Sequence, residues 1–264
     1  MLHEPYPVNK EHIRYYKENG FIKLKQVLDP ETIHYYGEEI TKKVRELNTL
    51  DIPMEERNTY QKAFMQVTNL WQASDLVREF VFSKRIGGIA AALMETKAVR
   101  MYHDQALYKE PTGGVTPWHA DQFYWPLASD KTVTAWIPLQ ETPLNMGPLA
   151  FSAKSHTFTF GRDLPISDES ERKIQKALGE QGYTLVEEPF ELGEVSFHSG
   201  WTFHRAGPNT SDRPRKVMTI IYMDADMRLK EPENENQKLD RDTWCPGARP
   251  GGIIDTPLNP VLYP

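Results

Sequence analysis

Over residues 99–224 the chain is a succession of short, β-branched and apolar runs separated by Gly, Pro and Asn turns, and no other feature limits the possible folds as much. The runs are 99–109, 116–124, 132–139, 148–151, 184–189, 195–198, 202–205 and 216–224. Many short strands leave unpaired edges unless the sheet is doubled or closed, and a jelly roll manages those edges. Upstream the periodicity is helical. Asn9 caps a helix over 9–20 that Gly20 stops, a short strand follows from Phe21, and Asp29-Pro30 opens a second helix running to about Leu47. Residues 62–71 suit a strand, and 75–96 two helices broken near Ser83 and Gly87-Gly88. Residues 163–184 read as a polar, partly helical insertion. The expectation is a mainly β fold with flanking helices, forming a single domain over 1–264. A helical buttress with a few strands occupies 1–98 and a double-stranded β-helix (jelly roll, cupin-like) core occupies 99–224. A Pro- and Gly-rich flap over 225–264 is anchored by Trp244 and Tyr263.

Composition removes several function classes. Net charge is −6, so no basic field attracts nucleic acid. No stretch of 18 apolar residues is present to span a membrane, and no basic segment followed by an apolar run marks a secretion signal. The single cysteine, Cys245, excludes an internal disulfide and a thiolate metal cluster. The expectation is a cytoplasmic protein acting on a small molecule. Aromatic residues make up 11% of the chain, enough to pack a core and still line a pocket.

The chemistry concentrates at Trp118-His119-Ala120-Asp121 and at His204. Residues i and i+2 of a strand share a face, so His119 and Asp121 can hold one ion between them. His204 completes a facial two-His, one-carboxylate set that leaves three positions of an octahedral ion open, the arrangement of a non-heme Fe(II) oxygenase. Arg215 follows on the next strand across a turn-rich loop, 208–214. Read as adjacent antiparallel strands, the two runs put His204 and Arg215 at one height about 4.8 Å apart, and a guanidinium there binds the far carboxylate of a diacid such as 2-oxoglutarate. His198 shares the parity of His204 and reads as a supporting or structural residue behind the ligands. His103 shares the face of Gln105 and can line the pocket. Lys109 reads as a solvated strand end.

Together, Trp-His-Ala-Asp-Gln-Phe-Tyr-Trp-Pro at 118–126, Ala-Trp at 135–136, Asn-Met-Gly-Pro-Leu at 145–149, Ser-His at 155–156 and His-Arg-Ala-Gly-Pro-Asn-Thr-Ser at 204–211 resemble the phytanoyl-CoA dioxygenase family. The resemblance implies a double-stranded β-helix using Fe(II), O₂ and 2-oxoglutarate, with ascorbate as an in vitro reductant. It implies hydroxylation of a C–H bond of a small organic metabolite with release of succinate and CO₂. Residue by residue, it implies His119, Asp121 and His204 as iron ligands, Arg215 as partner of the distal carboxylate, and Trp136 and Gln105 as co-substrate contacts. Gln66 falls near a position where members often carry Lys, and Ala206 where a Ser often bonds the co-substrate. These departures take a charge and a hydroxyl out of the pocket. Asp121 itself stands where family halogenases have a small residue, which favours oxygenation. Two other classes stay open at this point: a cupin-like metal-dependent isomerase using the same ligands, and a non-catalytic β-barrel binding protein.

Overall fold

The computed structural model describes residues 1–264. Two antiparallel sheets face one another. The larger has seven strands in the order β1-β8-β5-β10-β3-β11, with β2 also paired to β3; the smaller runs β4-β9-β6-β7. Here β1 is Phe21–Leu24, β2 Met65–Thr68, β3 Val99–Lys109, β4 Thr116–His119, β5 Thr132–Pro138 and β6 Leu149–Ser152. The remainder are β7 Leu185–Glu187, β8 Val195–Ser199, β9 His204–Ala206, β10 Arg215–Asp224 and β11 Val261–Tyr263. This is a jelly-roll core with helices on one flank.

Helices α1 (Lys10–Asn19), α2 (Pro30–Leu47), α4 (Asp75–Val81) and α5 (Lys84–Met94) cover the outer face of the large sheet. Their ends are set locally. Asn9 accepts from His12 N–H, Asp29 from Thr32 N–H and Ser83 from Ile86 N–H, each satisfying an orphan donor of a first turn. Gly20 closes α1 at φ 81°, a left-handed conformation that favours glycine. Gly87 and Gly88 do not break a helix, contrary to expectation. Both lie inside α5, where an added Cβ would come within 3.1 Å of Tyr263, so their bareness lets β11 lie against the helix.

Because helices cover one face and the small sheet the other, the central strands are buried on both sides. On β5, Val133, Ala135 and Ile137 enter the helix-side core, while Thr134 and Trp136 face inward. On β10, Met218 and Ile220 face the helices; Arg215, Thr219 and Ile221 face inward. That double burial is why these runs read as continuously apolar.

Two other expectations need correction. The run 62–71 splits into a short helix α3, Thr59–Ala63, then β2 and a 3₁₀ turn, Leu70–Gln72. The tail is not wholly extended: it carries α7, Glu235–Trp244, besides β11. Asn259 donates to the carbonyls of Met101 and Tyr102 at 3.1 Å each, tying the tail to β3. The insertion forms α6, Asp168–Glu180, whose Ile174 and Leu178 pack on Trp118 and Phe203 behind β4 and β9. No helix is long and apolar enough to cross a membrane.

Candidate active site

β4 and β9 are paired so that His119 stands directly opposite His204, with ring centroids 4.2 Å apart. Each ring turns Nδ1 toward the carbonyl two residues behind it: His119 to Pro117 O at 2.7 Å, His204 to Thr202 O at 3.0 Å. A carbonyl can only accept, so Nδ1 carries the proton, and in the neutral ring Nε2 keeps the lone pair that binds a metal. Asp121 completes the set from outside the strand. It begins a 3₁₀ turn, Asp121–Phe123, so simple i, i+2 strand alternation does not place it. Its Oδ1 lies 3.6 Å from His119 Nε2 and 3.7 Å from His204 Nε2. One ligand atom from each of the three residues lies within 4.8 Å of the others. Two lone pairs and a carboxylate oxygen converging on one point fit a divalent cation of the facial kind.

The electrostatics agree with that donor set. Burial alone would raise the Asp121 carboxyl, but the imidazoles of His204, His119 and His198 hold it well below the usual carboxylate range. His204 is pushed well below the ordinary histidine value by burial first and then by its neighbour His119, which keeps it neutral and able to donate to a metal.

Asp121 is oriented from the opposite sheet. Its Oδ2 accepts from Thr134 Oγ1 at 3.2 Å and from His198 Nε2 at 3.3 Å. His198 stands on β8 in the large sheet and is buried; it touches the carboxylate oxygen that faces away from the His119–His204 pair. The two oxygens are thus divided, one toward the ligand point and one toward the scaffold. Thr134 was not singled out from sequence, although it shares the inward parity of Trp136.

Arg215 is not beside His204. β9 belongs to the small sheet and β10 to the large one, so the two residues approach the cavity from opposing layers, which lie about 10 Å apart in a double sheet. The expected strand adjacency is wrong because the turn-rich loop carries the chain from one sheet to the other. Arg215 is 2% exposed. Its guanidinium sits 5.5 Å from the Trp136 ring centre. Nη1 donates to Gly147 O, while Nε has no partner. Burial pushes its pKa down to about 9. A buried guanidinium with no counter-ion is a costly arrangement that an anionic ligand relieves.

One cavity of about 510 Å³ collects His119, Asp121, His204, Arg215, Trp136, Gln105, Gln66 and Ala206. Gln66 on β2 donates to Gln105 on β3 and accepts from Tyr60 Oη at 2.6 Å. Ala206 offers only a methyl group to the wall. His103 also lines the cavity and stacks on Trp244 of α7, centroids 4.5 Å apart.

Lys109 is neither solvated nor at the cavity. It is fully buried, with Nζ on Gly114 O at 2.6 Å and Gly207 O at 2.7 Å, and it joins two loops behind Arg215. Its inward parity with Gln105 carries it between the sheets. Cys245 is buried, and burial pushes its thiol up to about 12, which leaves it unreactive. Sequence reasoning also missed Asp240, which α7 brings to the cavity wall; nothing in the composition of the tail marked it.

Residues 16–217 match the family model described as Phytanoyl-CoA dioxygenase. Among curated proteins, the probable alpha-ketoglutarate-dependent hypophosphite dioxygenase of Stutzerimonas stutzeri is 24% identical over 232 residues, covering 82% of this chain and 79% of that protein. Among solved structures, the non-heme alpha ketoglutarate-dependent carbocyclase SnoK of nogalamycin biosynthesis is 25% identical with a TM-score of 0.79, covering 98% of this chain and 99% of its own. The epimerase SnoN, solved with Fe³⁺, alpha ketoglutarate and nogalamycin RO, is also 25% identical, with a TM-score of 0.76 and coverage of 95% and 96%.

Proposed function

The chain belongs to the phytanoyl-CoA dioxygenase family of non-heme iron, 2-oxoglutarate-dependent oxygenases, and on that premise we propose how its own residues serve the reaction. His119, Asp121 and His204 hold Fe(II), Arg215 holds the far carboxylate of 2-oxoglutarate, and the outcome is hydroxylation of a C–H bond of a small organic metabolite. The observation that carries this reading is the meeting of the three donor atoms with an uncompensated, buried guanidinium in one cavity. The same reading has the enzyme act in the cytoplasm, without nucleic acid or membrane.

Fe(II), 2-oxoglutarate and O₂ together supply the oxidising power, as 2-oxoglutarate is split to succinate and CO₂ and oxygen enters the substrate. The chain's contribution is binding, orientation and shelter. Backbone carbonyls of Pro117 and Thr202 hold Nδ1 of both imidazoles and so turn Nε2 toward the ligand point. Thr134 and His198 hold Asp121 Oδ2, which presents Oδ1 to the ligand point. Trp136 supports the guanidinium, and the Tyr60–Gln66–Gln105 chain supplies neutral polar groups along the wall. Gln66 and Ala206 bring no second cation or hydroxyl, so recognition of the distal carboxylate rests chiefly on Arg215.

The relatives are named for a hypophosphite dioxygenase, a carbocyclase and an epimerase; substrate choice therefore lies in the cavity wall beyond the iron and 2-oxoglutarate groups. The test combines metal content with oxygen-dependent succinate formation in wild type and in His119→Ala, Asp121→Ala and His204→Ala. Each variant should fold, by circular dichroism, and lose Fe(II) and succinate formation together. Full iron and turnover in His204→Ala, with both lost in His198→Ala, would transfer the third ligand to β8.

A further inference from the structure

Outside the groups already assigned, the cavity wall is aromatic and apolar. Tyr60 and Phe64 enter from α3 and its end, Tyr124 from the turn after Asp121, and Leu239 and Trp244 from α7. Charged side chains are few. Besides the imidazoles, the cavity wall carries Arg215, Asp121 and Asp240, and no lysine. With Arg215 committed to the co-substrate and Asp121 to the metal, Asp240 is the charge left for a substrate.

We propose that the substrate carries a protonated amine that pairs with Asp240, on a flat apolar body seated among Tyr60, Phe64, Tyr124 and Trp244. This rests on the iron and 2-oxoglutarate reading of the same cavity and adds the class of molecule it takes. Three observations support it. Tyr102, fully buried, donates to Asp240 Oδ2 at 3.1 Å, which fixes the carboxylate in place. No lysine, arginine or histidine forms an ion pair with Asp240, although Lys238 and Arg241 on the same helix pair with Glu235 and Asp242. The nearby aromatic faces also attract a cation in the same space. An anionic substrate, by contrast, would meet Asp240 and Asp121 with Arg215 already taken.

The electrostatics around Asp240 agree. Burial lifts the Asp240 carboxyl to about 7, against the lowering effect of the Tyr102 and Trp244 hydrogen bonds. A carboxylate raised in this way lacks a cationic partner that a ligand can bring.

The test uses one apolar body with three head groups: 2-naphthylmethylamine, 2-naphthalenemethanol and 2-naphthoic acid. Each is titrated calorimetrically into the anaerobic Fe(II)- and 2-oxoglutarate-loaded protein. In wild type the amine should bind about tenfold or more tighter than the alcohol and the acid, the margin of a charge-assisted bond. Asp240→Asn should lose that margin and leave the alcohol within about twofold, whereas Asp242→Asn, on the exposed side of α7, should change nothing. The proposal is overturned if the acid or alcohol matches the amine in wild type, if none of the three binds, or if Asp240→Asn binds the amine as wild type does. The wild-type comparison decides even if the variant fails to fold. A 2-oxoglutarate titration of the same samples keeps the two readings apart. Normal co-substrate binding with the wrong head-group preference removes only the amine, and absent co-substrate binding removes the reading beneath it.

Discussion

Arg215→Met separates the stability of the site from its function. Arg215 is 2% exposed, forms no ion pair, and bonds Gly147 O while its Nε stays unpartnered. Replacing buried ionic groups by apolar residues of similar volume is often neutral or stabilising by about 1–4 kcal/mol, and here even the compensating charge is missing. Methionine keeps an unbranched apolar stem against Trp136, so the variant should be more stable than wild type by about 1 kcal/mol or more without co-substrate. In a chain of this size that corresponds to a rise of roughly 2–4 °C in Tm per kcal/mol. Added 2-oxoglutarate works in the opposite direction. At a hundred times its Kd it stabilises wild type by about 2.7 kcal/mol, while the variant, lacking a charged bond worth about 1.5–3 kcal/mol, binds roughly ten- to more than a hundredfold more weakly. Scanning calorimetry of the anaerobic Fe(II) protein, with and without 2-oxoglutarate, reads both effects. A lower Tm for Arg215→Met without co-substrate, or equal shifts of both proteins on its addition, would refute the argument that Arg215 is a buried charge awaiting an anion.

His198→Ala should weaken divalent-metal affinity about 10- to 100-fold, the usual effect of losing an outer partner of a metal ligand, and His198→Gln, which keeps a donor, should recover part of it. Competition titration with a chelator measures this, and a purely structural role would lower Tm without moving the metal affinity. Affinity for 2-naphthylmethylamine should climb as pH rises through about 7 and level off above it, because Asp240 binds the amine in its ionised form and burial lifts its pKa to about 7. Tyr102 and Trp244 bond Asp240, and the other groups that face it are Tyr60, Tyr124, Cys245 and, across the cavity, Asp121. The Asp240→Asn variant should give a flat profile over the same range.

Much of the fold was legible because its causes are local. Caps at Asn9 and Asp29, the left-handed stop at Gly20, and the two-residue alternation that turns Gln105 and Trp136 inward all act between near neighbours in the chain. The pair His119 and His204 could be named from residue types and spacing, yet their meeting depends on the β4–β9 register. Tertiary structure alone decided the rest. It placed Asp121 in a 3₁₀ turn rather than on the strand, set Arg215 in the sheet opposite His204, and buried Lys109 between the layers. It also brought His198 and Thr134 across to the second oxygen of Asp121, and Asp240 in from the last helix. The physical reason is that strand partners are chosen by burial of apolar faces far apart in sequence. A two-residue alternation reports which face is buried and says nothing of which sheet lies across from it.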